Sequence, residues 1–308
     1  MGGSGGSFFS RSKSPTVVAD ELRGHAEALA RDFEATLSEE FSRLLAKFND
    51  RNPEEVQERL QEIKAVLHDE IEGAFDTLFG GSVSKHTYVD GISDVDSMLI
   101  ISGDLEQENP RTIIGRVANA LHSRVEEAVE VRAGSVAVTV VYRDGKEIQL
   151  VPTVRDGDKF GVPSWDKNKW SSIDPRQFRD GLTKRNDECN GKLIPTLKLA
   201  KAINATLPEA ARLSGYHIES IGVTAFRSYN DAKVPVRMLP HFFKKASELV
   251  LRPMTDRTGQ SVHVDGYLGD ANSSERVAAS HMLRRIHQRM MSASAGHSRE
   301  RWQDLFDD

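Results

Sequence analysis

An aspartate doublet at the head of an apolar strand constrains this chain more than any other feature. Residues 79 to 101 read FGGSVSKHTYVDGISDVDSMLII: a Gly80-Gly81-Ser82 turn, eleven intervening residues, then Asp94-Val95-Asp96 opening a strand that runs to Ile101. Side chains two apart on a strand share a face, so Asp94 and Asp96 aim at one point. Carboxylates that close raise each other's pKa unless positive charge lies between them. A divalent cation answers that need, and hard oxygen ligands favour Mg²⁺, with Mn²⁺ as the alternative ion. Gly81 and Ser82 supply what a triphosphate needs: backbone that permits close approach, free N–H groups and a hydroxyl.

The rest of the chain has the material to build around that stretch. Its 308 residues suffice for a large domain or two packed lobes, and 38% hydrophobic with 28% charged residues is ordinary for a globular protein. It contains no run of about eighteen apolar residues and no signal-peptide core, so a membrane is not expected as a partner. The single cysteine, Cys189, excludes an intramolecular disulfide and a multi-cysteine zinc site, and fits a reducing cytoplasm. A net charge of -5 argues against coating long duplex nucleic acid but not against a small nucleotide.

Four segments follow from the patterning. Residues 1–15, MGGSGGSFFSRSKSP, read as a flexible tail. Residues 16–78 read as two helices packing on the core. The first spans Thr16 to about Asn49; the second opens at Pro53 and reaches about Leu78, where Gly80-Gly81 ends it. Residues 79–174 form a small mixed α/β core: the strand 95–101, a helix over 110–130, and runs 135–142 and 146–152 around Asp144-Gly145, a strong hairpin signal. Residues 155–175 read as irregular. Residues 175–308 form a helical lobe, with helices near 175–188, 191–206, 214–228 and 239–251, a loop over 253–272 and a long helix from about Ser273.

A Gly-Ser turn, about ten residues, then Asp-x-Asp on a strand resembles the signature of the DNA polymerase β-like nucleotidyltransferases. Leu150-Val151-Pro152, Trp170, Asp174-Pro175, the run Leu193 to Lys198 and the run Ser214 to Glu219 extend the likeness. Together they resemble the branch containing oligoadenylate synthetase, cyclic GMP-AMP synthase and the bacterial oligonucleotide cyclases. That resemblance implies an α+β fold: a polymerase β-like core, with a mixed sheet and flanking helices, plus an oligoadenylate-synthetase-like helical lobe. It implies an enzyme that joins NTPs, ATP among them, into a cyclic di- or trinucleotide or a short oligonucleotide. Such a product would signal to a downstream effector in anti-phage defence.

Carried over position by position, Asp94 and Asp96 would be the metal ligands, and Gly81 and Ser82 the triphosphate turn. Lys198 would clamp the outer phosphates with Ser214 as its hydroxyl partner, and Tyr216 would be the platform for a base. Lys198 and Lys201 also suit an ordinary exposed helix face. One position departs from the pattern: Gln149 stands where the family carries a third Asp. Glutamine orients a hydroxyl or accepts through its carbonyl oxygen, but it carries no charge and is no useful general base. Three readings stay open: a weaker second metal with Gln149 positioning the acceptor, Glu147 leaning in from two residues earlier, or weak catalysis. Rival functions are a linear oligonucleotide product, transfer to a protein or small-molecule hydroxyl, and a non-catalytic nucleotide or nucleic-acid sensor.

Overall fold

The computed structural model describes residues 14–48, 53–71, 74–79, 95–157, 159–164, 168–208, 211–255 and 264–307. Gly81, Ser82 and Asp94 lie outside the described residues, and at Asp96 the description is limited to the backbone.

Helix α1 spans Pro15–Phe48 and α2 Pro53–Glu70. Strand β1, Ala74–Phe79, and β2, Val95–Ser102, follow, then α3, Pro110–Leu121. Next come β3 (Ala128–Ala133), β4 (Val138–Tyr142), β5 (Glu147–Asp156), β6 (Lys159–Pro163) and β7 (Trp170–Ile173). The remainder is helical: α4 (Pro175–Glu188), α5 (Leu193–Ala205), α6 (Gly215–Ala225), α7 (Pro235–Leu249), α8 (Ser274–Ala295) and α9 (Arg299–Gln303). This is the expected α+β architecture of sheet core and helical lobe.

The seven strands form one mixed sheet in the order β1-β2-β5-β4-β3, with β6 pairing β5 and β7. Among the described residues β2 and β5 run parallel and the other pairings are antiparallel. Ile148 and Leu150 alternate inward from β5 into a core with Leu99 and Ile101 of β2, Leu60, Ile63 and Leu67 of α2, and Ile113, Ile114 and Val117 of α3. The Asp144-Gly145 hairpin forms as expected: Gly145 takes φ +80°, its N–H donates to Tyr142 O at 3.0 Å, and Asp144 Oδ1 accepts from Lys146 N at 3.1 Å. Arg59 of α2 fastens the hairpin to the helix, pairing with Asp144 at 3.0 Å and lying 4.0 Å over the Tyr142 ring.

Several boundaries differ from the sequence expectation. The second helix stops at Glu70, not near Leu78, and residues 74–79 join the sheet along the edge of β2. A six-residue apolar-rich run fits helix or strand by pattern alone, and the neighbouring edge decides it. The 110–130 helix ends at Leu121 because Ser123 and Glu127 adopt φ of +63° and +60°, after which β3 begins. The described part of 155–175 is not irregular. It carries β6 and β7, made compatible by a left-handed Gly157 (φ +58°) and by Gly161, where a Cβ would meet Val154 Cγ2 at 2.7 Å. The helix expected from 239 starts at Pro235, which occupies its first turn, and Pro240 lies inside it.

The two N-terminal helices also part company. Only α2 packs on the sheet; Leu37, Phe41 and Phe48 of α1 sit in the core of the helical lobe with Leu197, Phe242, Met290 and Trp302. The first half of α1 leaves Val17, Val18, Leu22 and Leu29 exposed. No described helix is long and apolar enough to cross a membrane.

Candidate active site

On the sheet, the parallel register pairs Asp96 with Gln149, and the antiparallel register pairs Gln149 with Thr139. The row 96–149–139 therefore crosses three strands, with neighbouring backbones about 4.8 Å apart. Position 96 shares the two-residue repeat of Met98 and Ile100, opposite in parity to the core residues Leu99 and Ile101. Gln149 alternates with the buried Ile148 and Leu150 and remains half-exposed. The structure thus sets Gln149 beside Asp96 at backbone level.

Glu147, the acidic residue on that face of β5, already has a cation. Its Oε1 lies 2.5 Å from Nη2 of Arg132, which reaches across from β3. Among the described residues, no group of three or more His, Cys, Asp or Glu could hold a metal ion. The described polar side chains on this face of β5 beside Asp96 thus include a neutral amide, Gln149, and an Arg-bound carboxylate, Glu147.

The helical lobe carries the other expected residues. Lys198 and Lys201 of α5 are not surface lysines: they are 8% and 4% exposed. The 3.6-residue repeat puts both on one flank of α5 with Leu197, which lies against Gly222 of α6. Lys201 Nζ pairs with Glu219 Oε1 of α6 at 2.9 Å, with both side chains buried. A Cβ placed on Gly215 would stand 3.5 Å from that same Nζ, so the ammonium lies directly under the first residue of α6.

Ser214 is the N-cap of α6, its Oγ accepting from His217 N at 3.2 Å. The cap leaves Ser214 and Gly215 exposed and Tyr216 half-buried. The Tyr216 ring rests against Phe178 of α4, centroids 4.7 Å apart and tilted by 54°, so one side of it is a packing surface. Asn204 fixes the approach to this turn, donating through Nδ2 to Leu213 O at 2.9 Å and accepting from Leu213 N through Oδ1 at 2.8 Å. Lys198, Ser214 and Tyr216 are thus brought to neighbouring helices, with Lys201 as an unforeseen fourth member.

His217, fully buried, is a hydrogen-bonded core histidine. Burial pushes its pKa down to about 4, with Asp265 opposing and Arg276 adding to the shift. Glu219, Asp265, Tyr267 and Arg276 carried no local sequence signal, because their partners lie 11 to 53 residues away. His86, His263 and Trp165 lie outside the described residues. Cys189 is buried and Trp170 packs against the sheet core.

Residues 35–186, about half of the chain, match the Second Messenger Oligonucleotide or Dinucleotide Synthetase domain. No curated protein matches the chain. Among solved structures it is similar to CdnC of Escherichia coli MS115-1 in complex with HORMA-deltaN, with 17% identity and TM-score 0.60 over 85% of this chain and 91% of that one. It is similar to CdnG of Bradyrhizobium diazoefficiens in complex with GTP, with 12% identity and TM-score 0.60 over 78% and 86%. It is also similar to the DncV cyclic AMP-GMP synthase of Vibrio cholerae in complex with nonhydrolyzable GTP, with 13% identity and TM-score 0.58 over 96% and 91%. At such identities the likeness speaks for the fold, and the domain match speaks for the family. Residues 35–186 thus carry the Second Messenger Oligonucleotide or Dinucleotide Synthetase domain, and the chain is a nucleotidyltransferase of that family.

Proposed function

We propose that this enzyme joins NTPs through phosphodiester bonds into a cyclic di- or trinucleotide, or a short oligonucleotide, and releases pyrophosphate. ATP is the expected substrate among them. A ribose hydroxyl of one nucleotide attacks the α-phosphate of another; the new O–P bond forms as the bond to the β-phosphate oxygen breaks, and the hydroxyl proton passes to solvent. Asp94 and Asp96 are the residues that would hold Mg²⁺, or Mn²⁺, which when bound would offset charge on the reacting phosphates.

The remaining roles belong to the chain itself. Gly81 and Ser82 hold the triphosphate through backbone N–H groups and a hydroxyl. Lys198 faces the outer phosphates from α5, Ser214 donates its hydroxyl, and the exposed side of Tyr216 stacks on a base for roughly 1–3 kcal/mol. Gln149 orients the attacking hydroxyl through its carbonyl oxygen but cannot take its proton. The observation that carries this reading is the pairing of Asp96 with Gln149 inside the matched domain.

The single cysteine fits action in the reducing cytoplasm, and by the family resemblance the product signals to a downstream effector protein in anti-phage defence. The test is incubation with labelled NTPs and Mg²⁺ or Mn²⁺, scoring pyrophosphate and phosphatase-resistant product against Asp94→Asn/Asp96→Asn. A linear product would keep a terminal phosphate, and product from the double variant equal to wild type would remove the metal assignment. The neutral Gln149 favours one second reading, a nucleotide sensor with little turnover. Tight NTP binding without pyrophosphate would support it.

A further inference from the structure

The α6 N-terminus is held from behind by a buried polar chain that the proposed reaction does not use. Ser214 N donates to the Tyr267 hydroxyl at 3.0 Å, and the Ser214 side chain interacts with the same phenol. That hydroxyl lies 2.9 Å from His217 Nδ1. The other ring nitrogen, Nε2, faces Asp265 Oδ2 at 3.5 Å, and Asp265 Oδ2 accepts from Arg276 Nη1 at 2.7 Å. His217, Asp265 and Arg276 are fully buried.

Each member is fixed in turn. The Arg276 guanidinium donates to Val250 O, Gly269 O, Asp270 O and Asp265 O, and the Asp265 carboxylate accepts from Met254 N. The end of α7, the loop after it and the start of α8 are therefore all tied to one carboxylate. A neutral imidazole with Nε2–H toward Asp265 leaves Nδ1 as an acceptor. The phenol then gives its proton to His217 and turns a lone pair to the Ser214 N–H. Its orientation is set from one side and read out on the other.

We propose that Tyr267 is a positioning residue, which with His217, Asp265 and Arg276 sets the conformation of Ser214-Gly215-Tyr216 for the incoming nucleotide. The exposed residues of that turn sit on a base that is already ordered, so the ordering cost does not fall on nucleotide binding. This rests on the reading that Ser214 and Tyr216 hold the nucleotide.

The test is equilibrium binding of a nonhydrolysable ATP analogue, together with KM and kcat, for wild type, Tyr267→Phe, His217→Asn, His217→Ala and Tyr216→Ala. Tyr267→Phe removes one oxygen and keeps the packing. It is expected to weaken nucleotide binding and raise KM about fivefold, with kcat changed less than twofold and faster amide exchange over 213–217. His217→Asn keeps a polar atom near the Nδ1 position and is expected to stay nearer wild type than His217→Ala. Wild-type affinity and exchange in Tyr267→Phe, with Tyr216→Ala weakened, would overturn the positioning role alone. Wild-type affinity in Tyr216→Ala would overturn the nucleotide-site reading beneath it. If Tyr267→Phe fails to fold, the two His217 variants carry the same comparison, and equal affinity in both would overturn the proposal.

Discussion

Gln149 is the backbone partner of Asp96 across the parallel pair of β2 and β5. In the proposed reaction a neutral amide thus stands where a carboxylate would both bind a cation and take a proton. Gln149→Asp is expected to raise turnover about a hundredfold, the low end of what a positioned general base supplies. Initial rates of pyrophosphate release with Mg²⁺ would measure it. An unchanged rate would mean that position 149 does not face the reacting hydroxyl.

Lys201 and Glu219 form a buried ion pair between α5 and α6. Removing one partner leaves an uncompensated charge in the lobe's interior, so Lys201→Met is expected to cost about 3–5 kcal/mol. Lys201→Met/Glu219→Leu should recover most of that loss. Urea unfolding of the three proteins gives both values.

His217 titrates lower in the folded protein than in the unfolded chain, because burial disfavours the imidazolium and Arg276 repels it, against the attraction of Asp265. The unfolded chain therefore takes up the proton first as pH falls. The stabilisation is complete above about pH 6.5 and is lost progressively down to about pH 4. One pH unit of separation corresponds to about 1.4 kcal/mol, so this residue removes about 2 kcal/mol between pH 7 and pH 5. The difference between wild type and His217→Asn in urea melts at the two pH values isolates it.

Helix α6 lies close on α5 at Gly222, where a Cβ would meet Leu197 Cδ2 at 2.6 Å. Leu197 is fully buried and has no room to yield. Gly222→Ala is expected to destabilise the lobe by about 1–3 kcal/mol, read by denaturant unfolding.

What the sequence made legible were features with short-range causes. The Asp144-Gly145 turn, the Pro175 and Ser273 helix starts and the alternation on β5 all declare themselves within a few residues. So did the glutamine at position 149. Residues 74–79 did not, because the edge of β2 decides their state. Strands β6 and β7 were hidden for the same reason, in a stretch whose glycines read as loop. Lys201 of α5 looked like a surface residue because Glu219 is 18 positions away. The Tyr267 chain joins residues 214 to 276 and has no local pattern at all.

The central claim is that this fold makes phosphodiester bonds from NTPs at the row containing Asp96 and Gln149. The direct measurement is pyrophosphate release, with the mass of the nucleotide product, from purified protein given ATP, GTP, CTP and UTP with Mg²⁺. The account predicts slow release with a phosphatase-resistant product, faster in Gln149→Asp and absent in Asp94→Asn/Asp96→Asn. Pyrophosphate from neither wild type nor Gln149→Asp, with any NTP mixture and with Mg²⁺ or Mn²⁺, would contradict it.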